Sequence, residues 1–266
     1  MKYKHFFITL ILIIISLITI SPYLMIIICS FSTNAAIKGN DVFSNLSFDN
    51  FLNNFEASIN QDNFLTSLFN SFVVASFSTM IGVFISSLAG YAYETYRSKT
   101  SEIMFSATVF SIYIPTASII VPIFLIVRFL NLMNTYFAVI ITSLNIPFLV
   151  FLFRQNAKGF QKEIINSARI DGANEIKIFF KLFVPYMKPV YLSAIMFSFF
   201  DAWNSVMIPV IIIQSPSKLT NSIFLNSIGN IWFSDYAVLM ISLLISTLPM
   251  FIIFTIFRKY LNTSIF

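Results

Sequence analysis

Six long apolar runs separated by short polar stretches set the pattern of this chain. They cover residues 6–31, 64–93, 103–127, 136–153, 190–213 and 236–257. Each is near the length of about 20 residues that a helix needs to cross the hydrocarbon core of a bilayer. Backbone polar groups in lipid must be satisfied within the segment, so each run predicts a transmembrane helix. The first run, Phe6 to Phe31, exceeds the roughly 7–15 residues of a signal-peptide core, and no small-x-small cleavage site closes it. It reads as a first span, with Pro22 as its point of bending.

Polar and small residues inside the runs refine this picture. The second run carries Gly82, Ser86, Ser87, Ala89 and Gly90, which let another helix approach closely. Pro115 and Pro122 lie in the third run, Asn145 and Pro147 in the fourth, Pro209 in the fifth and Pro249 in the sixth. A proline at membrane depth frees backbone groups that buried neighbours or a water-lined path must satisfy. Asp201 is the only acidic residue well inside a run, and such a group is a functional candidate by default. With Trp203, Asn204 and Asn145 it outlines a polar patch where a sugar is held by hydrogen bonds and stacked on an aromatic ring. The competing reading has Asp201 pairing with a polar group of a neighbouring helix to hold the bundle.

Composition excludes several classes. With 58% hydrophobic and 10% charged residues, a soluble domain would expose very large apolar patches. The net charge of +5 sits in short loops between apolar runs, which argues for membrane orientation and against nucleic-acid binding. Six spans put both termini on one side. Placing them in the cytoplasm leaves only Lys38, Arg128 and Lys218 of the lysines and arginines outside, as the positive-inside rule requires. The expectation is a single membrane domain over residues 1–266, multi-pass in a bacterial plasma membrane, with residues 32–63 as an external loop. Cys29 is the only cysteine, so neither an intrachain disulfide nor a cysteine zinc site can form. His5 is the only histidine and stands beside Lys4 at the terminus, so no metal site and no catalytic site is expected.

The remaining feature is a charged stretch over residues 160–189, containing EIINSARIDGANEIKIFFKLFVPYMKP from Glu163 to Pro189. Glu163 to Arg169 predicts a short helix presenting Ile164, Ile165 and Ala168, broken at Asp171 and Gly172, where glycine accepts positive φ. Asn174 is a candidate N-cap for a second helix. Its Ile176, Phe179, Phe180, Phe183 and Val184 recur at helical spacing, with Lys177 and Lys181 on another face. Pro185 and Pro189 end or bend it. Two readings stand. The second helix can lie on the inner leaflet with its lysines at anionic headgroups. The slight side chains of Ser167, Ala168 and Gly172 suit instead a protein groove.

The string Ser167-Ala168-Arg169-Ile170-Asp171-Gly172-Ala173, with Val184-Pro185 and Pro189 after it, resembles the cytoplasmic EAA loop of binding-protein-dependent ABC importer permeases. The carbohydrate-type subunits similar to the second maltose-transporter permease resemble it most. Ser47 to Phe51, Asn70-Ser71, Leu88 to Ala92, Ile146 to Phe148 and Trp203-Asn204 agree with that family, so the resemblance covers nearly the whole chain. Asn166-Ser167-Ala168 stands where the family has Glu-Ala-Ala, so the acidic contact is missing or replaced by an amide hydrogen bond.

The resemblance implies an all-α type I importer permease fold with a cytoplasmic coupling helix, forming half of a sugar or oligosaccharide pathway and doing no catalysis. Asn166, Ser167, Ala168, Arg169, Asp171, Gly172 and Ala173 would meet a cytoplasmic ATPase. The implied partners are a second, distinct permease subunit, two ATPase subunits and an extracellular or periplasmic substrate-binding protein. This chain would bind no cofactor itself, ATP and Mg2+ being used by the ATPase. The rival class is a stand-alone secondary transporter driven by an ion gradient, which would favour intramembrane charge pairs and an inverted repeat.

Overall fold

The computed structural model describes residues 2–228 and 235–261, with side chains over 7–228 and 235–258. Among the described residues the regular structure is helical. In chain order the helices are α1 Lys2–Ser30, α2 Asn34–Lys38, α3 Phe48–Ile59, α4 Phe64–Thr95, α5 Lys99–Phe110, α6 Thr116–Phe129 and α7 Tyr136–Thr142. There follow α8 Ile146–Ala157, α9 Lys162–Ile170, α10 Glu175–Tyr186, α11 Lys188–Asn204, α12 Met207–Ile212, α13 Asn221–Ile228 and α14 Tyr236–Leu261.

Three helices, α1, α4 and α14, are long and apolar enough to cross a membrane unaided. The third, fourth and fifth apolar runs are each interrupted. Residues Lys99–Tyr113 and α6 meet at 104°, because Pro115 fixes its own φ at −61° and holds Ile114 extended at ψ 114°. Helices α7 and α8 meet at 45°, with Pro147 in the first turn of α8. The fifth run ends as a helix at Asn204 and resumes as the short α12 after Ser205 and Val206. Among the described residues, counting the first two bent pairs and the pair α10 and α11, which meet at 81°, as one span each gives up to six.

The chain divides into two compact units. One comprises the residues up to Leu65 with Ile223–Pro249. In it the Ser58 and Ser242 hydroxyls share a hydrogen bond of 2.8 Å, and Phe64 packs on Phe224 with ring centres 5.6 Å apart.

The second unit, Thr66–Ser222 with the chain from Met250, holds both candidate sites. Its main core gathers Tyr91 of α4, Leu149 and Phe153 of α8, Ile165 of α9, Ile178 and Phe183 of α10 and Ala194 of α11. Gly90 brings α4 onto α8: a Cβ there would lie 2.6 Å from Phe153 Cβ and 3.0 Å from the Arg154 nitrogen. Elsewhere Asn70 closes the turn after α12. Its amide donates to the Ser217 and Leu219 carbonyls at 3.0 Å each, and its oxygen accepts from the Tyr136 hydroxyl at 2.8 Å.

Candidate functional site

The charged stretch folds as two helices around one tight reversal. Helix α9 ends in a Schellman turn: the Ala173 N–H donates to the Ala168 carbonyl at 2.9 Å and the Gly172 N–H to the Arg169 carbonyl at 3.0 Å. Gly172 takes the left-handed position at φ 79°. Helix α10 then starts on Asn174, whose side-chain oxygen accepts from the Lys177 N–H at 2.9 Å. From Phe179 to Phe183 the helix widens to π geometry, with the Val184 N–H donating to the Phe179 carbonyl. The widening falls just before Pro185, which lacks an N–H and cannot continue an α-helical ladder. After Met187 the chain turns by 81° into α11, with Pro189 in the first turn of the new helix.

The faces differ in part from the sequence expectation. Ile165 is buried and Ala168 half-buried against the core, but Ile164 turns outward. Ile178, Phe179 and Phe183 point inward, whereas Ile176 and Phe180 are exposed. With Ile170 at 87% exposure, the tip of the reversal is an apolar surface on a polar loop. Between the two helices runs a groove of about 530 Å3, lined by Ser167, Ala168, Asp171, Ala173, Lys177 and Lys181 among others. Asn166 is exposed outside that lining.

Arg169 behaves differently from its neighbours. Its Nε donates to Glu175 at 2.7 Å and its guanidinium lies 5.5 Å from the Tyr96 ring centre, so it binds within the chain. The other Glu175 oxygen accepts from the Tyr91 hydroxyl at 2.8 Å. The Arg169 guanidinium therefore holds the Glu175 carboxyl below its ordinary range, and Tyr91 and Tyr96 add to the effect. Tyr91 is wedged edge-on against Phe179 and Phe183, at 5.5 and 4.9 Å. One carboxylate thus ties the reversal to the end of α4.

The second candidate site is a cavity of about 840 Å3. Its walls include the helix breaks at Ile114, Ser143 to Asn145 and Ser205 to Val206. Asp201, Asn204 and Asn145 all line it, so the Asn145 amide and the Asp201 carboxylate open onto the same space. Trp203 does not line it. On a helix with about 100° per residue, positions 201 and 204 share a face and 203 points elsewhere. The Trp203 ring is 3% exposed and stacks on Phe199 at 5.7 Å, so the expected ring beside Asp201 is a packing residue.

Over residues 82–266 the chain matches the binding-protein-dependent transport system inner membrane components. It belongs to that family. This membrane component is 30% identical over 238 residues to the lactose transport system permease protein LacG of Rhizobium radiobacter, covering 89% of this chain and 86% of the relative. It is 33% identical over 192 residues to the arabinooligosaccharides transport system permease protein AraQ of Bacillus subtilis, covering 72% and 68%. A solved bacterial ABC transporter involved in import of the acidic polysaccharide alginate contains a chain that superposes with TM-score 0.83. The match covers 97% of this chain and 96% of that one at 20% identity. That likeness is one of fold, and it agrees with the all-α importer permease expected from the sequence.

Two groups in this transport component escaped the sequence reading. Glu175 is the acidic residue that opens α10, a position favoured by the helix dipole, and that was its only signal. Arg154, at 4% exposure, pairs with Glu102, lies 3.9 Å from Glu94 and stacks 3.9 Å over the Phe105 ring. Its signal was a lone arginine ending the fourth apolar run, opposite two acids in the break after the second.

Proposed function

We propose that this chain forms half of the translocation pathway of an ATP-driven importer for a sugar or oligosaccharide, and couples to a cytoplasmic ATPase through the α9–α10 reversal. The observation that carries this reading is the reversal itself. An apolar tip formed by Ile170 and Ile176 and an adjoining groove stand exposed, while the opposite side is tied into a close-packed core. A partner gripping such a tip moves α4, α8 and α11 with it, because packed interiors transmit displacement.

Ser167, Ala168, Asp171 and Ala173 supply the groove, Gly172 the turn and Asn166 an exposed neutral contact outside the groove lining. Arg169 contributes by positioning through Glu175. ATP and Mg2+ are used by two ATPase subunits. A second permease subunit completes the pathway, and a substrate-binding protein delivers the ligand from outside. Both termini and the α9–α10 reversal lie in the cytoplasm, as the distribution of lysine and arginine supports.

The cavity beside Asp201, Asn145 and Asn204 lies within the size range of about 300–1,000 Å3 typical of small-ligand sites and offers hydroxyl-binding groups. The relatives named for lactose and for arabinooligosaccharides support a carbohydrate.

The test is purification of the complex from cells. An ATPase subunit is expected to co-purify, with hydrolysis stimulated by the loaded binding protein. Gly172→Asp is expected to remain inserted yet lose that stimulation, since a side chain at 172 meets nothing within 4 Å but requires positive φ. Transport by the chain alone in liposomes, or normal transport in the variant, would overturn the reading.

A further inference from the structure

Helix α3 lies in the 32–63 loop, which the proposed function leaves without a role. Its residues fall into three sectors at about 100° per residue. Asn50, Asn54 and Ser58 form the first and are bonded to the chain. The Asn54 amide donates to the Ser30 and Ser32 carbonyls at 3.0 Å each, satisfying groups at the end of α1, and Ser58 shares its hydrogen bond with Ser242 of α14. Asp49, Asn53 and Glu56 form a second sector and are exposed. Phe48, Leu52 and Phe55 form the third, roughly a third of a turn from the bonded sector, and are 63%, 47% and 39% exposed.

We propose that this third sector is seated in the lipid interface, so that α3 lies flat at the bilayer surface beside the ends of α1 and α14. Depth is the first argument. Ser242 is six residues into α14, roughly 9 Å along its axis at 1.5 Å per residue. Interfacial helices bury their apolar face about 5–10 Å into the boundary between headgroups and acyl chains, a depth comparable to the distance of the Ser58 dock from the first residue of α14. Continuity is the second. Phe31 at the end of α1 stacks on Phe51 at 4.8 Å, and Phe51 stacks in turn on Phe48 and Phe55 at 5.9 and 6.2 Å. A run of stacked rings therefore joins the end of α1, an apolar helix, to the apolar sector of α3.

The sector order also fits a helix beside a bundle: one side bonded, one apolar and one acidic toward water. Charge names the kind of lipid contact. Asp41, Asp49, Glu56 and Asp62 face a single Lys38 in this loop, so anionic headgroups are not attracted and insertion is hydrophobic. The arrangement holds whichever side of the membrane the loop occupies, so it stands or falls separately from the proposed coupling.

The experiment places single nitroxide labels at Phe48→Cys, Leu52→Cys and Asn53→Cys, in a Cys29→Ala background, in the assembled transporter in zwitterionic lipid nanodiscs. Labels at 48 and 52 are expected to collide several-fold more with oxygen than with a water-soluble nickel chelate. The label at 53 is expected to show the reverse, and neither ratio should change between low and high salt. Equal access of the chelate to all three labels would show the face in water and overturn the proposal. Shielding of 48 and 52 from both reagents would assign the face to a protein subunit and overturn it as well. All three positions are exposed, and Phe55→Cys gives the same reading should one labelled variant fail to assemble.

Discussion

Around α9 and α10, Phe153, Ile178, Phe183 and Met187 are no more than 1% exposed, and α4 and α8 touch backbone to side chain at Gly90. Around the cavity the same unit is built from helix ends, at Ile114, at Ser143 to Asn145 and at Ser205. The first region has no slack, so in the proposed coupling it would pass on a push at the reversal. The second is interrupted by helix breaks, which open onto a cavity whose lining mixes Asp201, Asn145 and Asn204 with apolar side chains. In the proposed coupling the first would act as a stiff handle and the second as a jointed far end.

The sharpest break in the stiff region is at Arg154. Arg154→Met is expected to destabilise by roughly 3 kcal/mol, because its buried pairing with Glu102 and Glu94 is lost and Glu94 keeps only the half-exposed Arg97 as counter-charge. Thermal inactivation of the purified complex would show it, and adding Glu94→Gln should recover part of the loss. Next is Gly90→Ala, with a cost of about 1–3 kcal/mol from overpacking: the atoms in its way are Phe153 Cβ and backbone, which cannot rotate aside. Wild-type stability for that variant would contradict the close packing of α4 on α8.

A smaller effect on stability, and a larger one on coupling, is expected for Glu175→Gln. It should lower the ratio of stimulated to basal ATP hydrolysis several-fold while leaving assembly intact. Acid sharpens the test. The folded carboxyl titrates below its unfolded value, so its contribution is complete above the ordinary carboxylate range and fades as pH falls through the lowered folded pKa. Acid melting curves of the variant and parent should converge there and separate at neutral pH.

On the jointed side, Asn145→Ala and Asp201→Asn are expected to reduce transport with little change in melting temperature, and Trp203→Ala to do the opposite. Uptake assays paired with melting curves would decide. Equal effects on uptake and melting from all three would erase the distinction between cavity and packing residues.

Much of this was legible in the apolar pattern. Long helices such as α4 and α14 follow from length and hydropathy, and the α9–α10 reversal from Asp171, Gly172 and Asn174, because those signals are local. The bend of 104° after Tyr113 was only half visible: Pro115 marks a break, but the sequence does not give the extended ψ at Ile114 that sets its angle. Trp203 was misplaced because adjacency in sequence was read as adjacency on a face. Arg169 was assigned outward because Glu175, Tyr91 and Tyr96 come together only in the fold. Glu94, Glu102 and Arg154 were visible as charges at run ends, yet nothing local says which acids meet which base.

Gly172 carries a consequence for chemical synthesis. Nothing lies within 4 Å of the Cβ it lacks, so the demand at that position concerns handedness and leaves volume free. A semisynthetic protein with D-alanine there should reverse its chain as readily as the parent, while L-alanine should strain it by about 1 kcal/mol. The mirror-image residue would thus separate the geometry of the joint from the size of what occupies it.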